Sequence, residues 1–168
     1  MSNRINNLKN IKENIHKVEN YLVNNFGIIY DFQFDNDIFL LSGAIRDSIV
    51  DIAPRDLDIV MLSDDDSELK EFIDKYNLKH KRNSFGGYKI EFNNITVDFW
   101  ATNDLFKTIE YNLDGLFYDI KDRKILPIGY LSGVEKKTLN KLNSDSEHPS
   151  NERQLERELK LKEFIKNI

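Results

Sequence analysis

The sequence predicts an α+β fold, a mixed β-sheet of four or five strands with helices packed on one side. Three observations predict it. Short apolar runs at residues 37–41 and 55–62, bounded by polar residues, have the length of strands and not of helices. Residues 5–23 and 67–76 carry apolar side chains at spacings of three and four, which is the stripe of an amphipathic helix. Residues 88–102 hold two strand-like runs around Asn93-Asn94, a pair that tolerates the positive φ of a tight hairpin, so part of the sheet is antiparallel.

A chain of 168 residues is long enough for one domain with a real core and short for two full ones. Hydrophobic residues at 40% fit a globular protein, and 32% charged residues imply a heavily solvated surface. The net charge of −5 makes a long phosphate-neutralising face unexpected, so any nucleic acid must be met by a local patch. With no cysteine, disulfides and thiolate metal sites are excluded. Residues 1–18 lack an apolar leader core, and no run approaches the ~18 apolar residues of a membrane span. The expectation is a soluble, cytoplasmic protein with no membrane partner; its oligomeric state has no signature in the sequence.

Taken in order, Ile5, Leu8, Ile11, Ile15, Val18 and Leu22 form the stripe of a packing helix. Residues 37–41 read as a buried strand that delivers the chain to Ser42-Gly43, and "AIRDSIV" as a short helix. In the following strand, Leu57, Ile59 and Met61 lie on one side and Asp56, Asp58 and Val60 on the other. The acidic run 64–68 opens a helix whose buried stripe is Leu69, Phe72, Ile73 and Tyr76. A two-residue turn at Asn93-Asn94 sets Glu91 opposite Thr96 and Lys89 opposite Asp98. Residues 115–129 suggest a third hairpin whose second strand is an edge because of Pro127. Ser132 with Glu135 reads as a capping box opening a helix through about Leu142; a polar linker and a charged terminal helix follow.

On a strand, residues two apart share a face, so Asp56 and Asp58 present two carboxylates side by side. Their repulsion is relieved by a cation, and oxygen-only ligands suit Mg²⁺, which keeps water and substrate phosphates in its shell. A third carboxylate on a neighbouring strand allows two ions ~4 Å apart, the arrangement that activates an attacking hydroxyl and steadies a leaving phosphate. Asp98 is the candidate: alternation in "ITVDFW" turns Ile95, Val97 and Phe99 inward and sets Asp98 on the opposite face with Thr96 and Trp100. Ser42 and Gly43, placed between a strand and a helix, offer backbone N–H groups and the positive end of a dipole to a phosphate. Arg46, one turn into that helix, is placed to reach the same anion or to brace the aspartates.

These pieces together, "SGAIRD", "RDLD" and "VDFW", resemble the nucleotidyltransferase superfamily that includes DNA polymerase beta, and most closely the head domain of bacterial poly(A) polymerases and CCA-adding enzymes. Members look like "GGAVRD" followed about ten residues later by "DLDI". The resemblance spans residues 37–101, and "FGG" at 85–87 is similar to the glycine-containing strand entrance before the third carboxylate. It implies a nucleotidyltransferase-type sheet in a domain over residues 1–128, with a helical appendage over residues 129–168. It further implies that Asp56, Asp58 and Asp98 hold two Mg²⁺ ions, that Asp98 serves the ion activating the acceptor hydroxyl, and that Ser42 and Gly43 contact the triphosphate. Ser42 stands where the polymerase group has glycine, "KTIEYNLDGLFYD" is similar to the Arg-Arg-Asp stretch after the head, and "ERQLER" to the arginine-bearing neck helix.

Lys89 opposite Asp98 reads first as a cross-strand ion pair and second as a triphosphate contact. Arg153, Arg157, Lys160 and Lys162 alternate with Glu152, Glu156 and Glu158, the pattern of solvated pairs within a helix more than of an RNA grip. Trp100 reads as a rim or core aromatic before a base platform, and His16, His80 and His148 have no metal-ligand spacing. The expected activity is transfer of NMP from an NTP to a hydroxyl, an RNA or tRNA 3′ end first. A small-molecule or protein hydroxyl, or nucleotide binding without catalysis, is the alternative.

Overall fold

A computed structural model describes residues 3–49, 52–136, 138–142 and 151–167. The chain runs α1 (Asn3–Phe26), α2 (Ile28–Asp31), β1 (Ile38–Leu40), α3 (Ser42–Ile49), β2 (Asp56–Leu62), α4 (Ser67–Lys75), β3 (Lys79–Arg82), β4 (Tyr88–Phe92) and β5 (Ile95–Thr102). Two 3₁₀ turns, Leu105–Thr108 and Asn112–Asp114, lead to β6 (Leu116–Asp119), β7 (Lys124–Pro127), α5 (Tyr130–Lys136) and α6 (Asn151–Asn167). The strands form one sheet in the order β3-β4-β5-β2-β1-β6-β7. Among the described residues β2 and β5 alone pair in parallel, so the sheet is mixed as expected.

Strand alternation sorts the two faces. Leu57, Ile59 and Met61 of β2 and Ile95, Val97 and Phe99 of β5 enter the main core, where α1 contributes Val18, Leu22 and Phe26 and α4 contributes Leu69, Phe72 and Ile73. Tyr130 and Val134 of α5, and Leu161, Phe164 and Ile165 of α6, belong to the same core. The helices therefore pack on one side. The opposite face carries a smaller cluster of Phe39, Val60, Trp100, Ile109 and Phe117, which covers one end and leaves Asp56 and Asp58 exposed at the other. Two half-solvated carboxylates ~7 Å apart repel by about 1–2 kcal/mol. Each buried Leu, Ile or Met on the inner face contributes about 1.5–3 kcal/mol. Packing therefore outweighs repulsion, and β2 folds with its charges outward.

Asn93 and Asn94 take φ values of 47° and 65°. That two-residue turn fixes the hairpin register, with Lys89 opposite Asp98 and Glu91 opposite Thr96. β7, which holds Pro127, is an edge strand, in accord with the missing N–H.

Two expectations need correction. Among the described residues the sheet has seven strands and not four or five, in part because the exposed "KHKR" run forms edge strand β3 against β4. Its stability comes from the ladder that β4 offers, which no apolar pattern announces. The helix assigned from Ser132 starts at Tyr130 and does not reach Leu142. Instead Asn112 claims that segment: its Nδ2 donates to the Thr138 carbonyl (2.9 Å), its Oδ1 accepts from Asn140 N–H (2.9 Å), and Leu142 N–H donates to the Glu110 carbonyl (2.7 Å). The polar linker at 143–150 lies outside the described residues.

Candidate active site

The parallel pairing of β2 and β5 sets Asp58 directly opposite Asp98 and Asp56 opposite Thr96. All three sequence-predicted carboxylates thus share the face away from the helices. Asp58 reaches the surface, yet the surrounding strands desolvate its carboxyl and, with the charges of Asp98 and Asp56, push it up to about 6, opposed by Arg157 and Lys89. Crowded like charges of this kind are what a cation relieves.

Asp98 is held from two sides. Lys89 Nζ lies 3.5 Å from its Oδ2, the cross-strand ion pair read from the sequence. Asn83 donates Nδ2 to its Oδ1 at 3.2 Å and to the Tyr88 carbonyl at 3.2 Å. Through Oδ1 the same side chain accepts the N–H groups of Phe85 (3.0 Å) and Gly87 (2.9 Å). One amide therefore ties the 85–87 turn to the third carboxylate. Among the described residues, no three His, Asp or Glu side chains are placed to hold a metal ion together. The donor set is nonetheless all oxygen, the ligand type Mg²⁺ prefers, with Lys89 already lodged against one member.

On the next strand, Leu41 N–H donates to the Asp58 carbonyl (2.8 Å), which brings the start of α3 beside the carboxylates. Ser42 is buried there. A Cβ built on Gly43 would meet nothing within 4 Å, so open space lies at this end of α3. Arg46 does not brace the aspartates: its Nη1 donates to the Leu113 carbonyl (2.9 Å) and pairs with Asp114 (3.3 Å). Burial lowers the Arg46 guanidinium from its ordinary value, while the Asp114 charge raises it.

Asp114 and Glu110 form a buried acidic pair that sequence reading did not single out. Arg157 of α6 joins both, at 2.7 Å to Asp114 and 3.0 Å to Glu110. Arg157 was read as part of a solvated intrahelical pattern and is a tertiary clasp; Lys162 with Glu158 (2.6 Å) is the intrahelical pair expected. The signal for the clasp was a charged Glu110 and Asp114 inside an otherwise apolar segment. Asn83 had no signal beyond its place before the glycine turn.

With this geometry in view, the comparisons are consistent. No protein-family model matches the sequence, and no curated protein does. Among solved structures, the Thermotoga maritima CCA-adding enzyme complexed with tRNA superposes with a TM-score of 0.58 at 16% identity, over 84% of this chain and 36% of that one. A CCA-adding enzyme complexed with CTP gives 0.55 at 17% identity, over 82% and 37%. A tRNA nucleotidyltransferase with a primer tRNA and an incoming ATP analogue gives 0.52 at 15%, over 64% and 36%. The chain shares the fold of the matched part of these structures and spans little more than a third of their length. No described helix is long and apolar enough to cross a membrane.

Proposed function

We propose that the protein is a nucleotidyltransferase that moves NMP from an NTP to a hydroxyl, with an RNA 3′ end as acceptor. The observation that carries this reading is the facing pair Asp58 and Asp98, with Asp56 on the same face and the start of α3 one strand away. The likeness to structures described with tRNA, ATP and CTP supports the choice of substrates.

Asp56, Asp58 and Asp98 would hold Mg²⁺, two ions in the full arrangement. When bound, Mg²⁺ neutralises phosphate charge and makes the acceptor hydroxyl easier to deprotonate. The chain's own residues do the positioning. Ser42 and Gly43 present backbone N–H groups to the phosphates. Asn83 keeps Asp98 aimed across the sheet, and Lys89, half exposed, is placed to leave Asp98 for a phosphate oxygen. The acceptor oxygen forms a bond to the α-phosphorus, the α–β phosphoanhydride breaks, pyrophosphate leaves, and the hydroxyl proton passes to solvent base.

The Lys89–Asp98 ion pair also favours a second reading, a nucleotide-binding chain in which Lys89 occupies the cation position and transfer is lost. Pyrophosphate release separates the two. Wild-type protein with NTP, Mg²⁺ and total tRNA should release pyrophosphate, and the Asp56→Ala/Asp58→Ala double variant should not. Nucleotide binding without release from wild type would select the second reading.

A further inference from the structure

The open sheet face carries two features that nucleotide chemistry alone leaves unused. Across four strands, one register row reads Lys81, Lys89, Asp98, Asp58. Neighbouring strands lie ~4.8 Å apart, so the row leads from the sheet edge to the carboxylates over about 14 Å. Lys81 and Lys89 stand directly opposite one another, an arrangement that is unfavourable between like charges unless an anion lies over them. In the next row Lys79 pairs with Glu91 at 2.7 Å, and within the site's own row Lys89 pairs with Asp98 at 3.5 Å, so Lys81 is the cation at the edge end of a row whose acids lie at the other end.

The second feature is an aromatic step. Trp100, two residues beyond Asp98 on the same face, is 9% exposed, and Phe85 stacks on it with ring centroids 4.5 Å apart and planes within 19°. Phe85 is 50% exposed, so one face of its ring is covered by indole and the other is open. Gly87 makes the step possible: a Cβ there would come within 2.4 Å of Trp100 Cβ and of the Phe99 carbonyl oxygen. Asn83 then fixes the Phe85 and Gly87 backbone to Asp98, so the ring is held at a set distance from the carboxylate. Trp100, which carries the exposed Phe85 ring, lies ~7 Å along β5 from Asp98, so the step is placed beside a phosphate-handling carboxylate for a nucleobase.

We propose that Phe85 on Trp100 stacks a nucleobase at the 3′ end of a single-stranded nucleic acid acceptor, and that Lys81 and Lys89 contact its phosphates. The proposal rests on the transferase reading and adds the residues that hold its acceptor strand. The row runs outward to the sheet edge, as a strand requires and a free nucleotide does not.

Trp100 is the single tryptophan, so its fluorescence reports on the step. The test titrates the full chain, without NTP or Mg²⁺, with a short single-stranded oligoadenylate and separately with ATP. Anisotropy of a labelled strand serves as second readout, because changing Phe85 alters the surroundings of Trp100. The strand should quench Trp100; Phe85→Ala should weaken strand binding about tenfold and Phe85→Tyr should restore it. Lys81→Ala should reduce the salt slope by about 0.7. Strand binding unchanged in Phe85→Ala, absent from wild type, or an effect of Phe85→Ala confined to ATP would each overturn the proposal. None of these outcomes touches pyrophosphate release onto another acceptor. Conversely, strand binding through Phe85 in a protein that releases no pyrophosphate supports the strand site and overturns the transferase reading alone.

Discussion

Asp58 and Asp98 are direct register partners across the parallel β2–β5 pair, and Lys89 stands on the far side of Asp98 in the same row. Two acids and a lysine in line across three strands have little structural purpose on an open face. Their purpose follows if cation and phosphate replace the lysine's charge during function.

Asn83 is the positioning residue of this row, since it holds Asp98 and the 85–87 turn at once. Removing such a supporting hydrogen bond typically costs 10–100-fold in metal affinity or activity. Asn83→Ala should therefore lower transfer by about 10-fold or more while the circular-dichroism spectrum keeps its strand and helix signals. Transfer at the wild-type rate would remove Asn83 from the site.

The raised Asp58 carboxyl makes a signed prediction. Its folded value of about 6 exceeds the ordinary 3.8, so between these values the folded chain binds more protons than the unfolded one. Stability from this group is present at low pH, is lost as pH rises through that window, and stays lost above it. Asp58→Asn should raise the melting temperature at pH 7 and change it little at pH 4. Added Mg²⁺ should raise the wild-type melting temperature at pH 7 and not that of Asp58→Asn.

The Arg157 clasp predicts a different outcome. Arg157→Ala leaves Glu110 and Asp114, each nearly inaccessible, with Lys141 and Arg46 still in place. A buried polar group that loses its partner costs about 1–3 kcal/mol, and a charged one more. For a domain of this size that corresponds to roughly 2–4 °C per kcal/mol, so a melting scan should fall by several degrees. Arg157→Lys, which cannot span both acids with one planar fork, should recover only part of the loss.

Two glycines should respond in opposite ways. Gly87→Ala drives a Cβ into the Phe99 carbonyl oxygen and Trp100 backbone, and overpacking of this kind costs about 1–3 kcal/mol. Gly43→Ala meets only open space, so the melting temperature should hold while nucleotide affinity falls, because the methyl occupies the approach to the α3 backbone. Calorimetric titration with an NTP analogue checks the second half; a Gly43→Ala variant that binds as wild type would take α3 out of the phosphate site.

Much of this was legible in the sequence, for physical reasons. Alternation in residues 55–62 and 95–100 assigned both faces, because each strand has one packed face and one open one. Asn93-Asn94 set the Lys89–Asp98 register, because few residue pairs accept two positive φ angles in succession. The partner of Asp58 was not legible, since α4, β3 and β4 intervene between β2 and β5 and the pairing is decided by tertiary packing. β3 was missed because "KHKR" has no apolar residue to bury. Arg46 and Arg157 were both assigned locally, and both answer to Asp114, an acid whose burial depends on the 3₁₀ turn that carries it.

Whether Asp58 and Asp98 serve nucleotidyl transfer is read by following α-phosphate label. Wild-type protein and the separate Asp58→Asn and Asp98→Asn variants are incubated with α-labelled ATP or CTP, Mg²⁺ and RNA ending in a 3′ hydroxyl. Label should appear at the RNA 3′ end with wild type and fall by about 100-fold or more with either variant. Label that persists in both variants, or wild-type protein that binds nucleotide and passes label to no hydroxyl, would contradict that role.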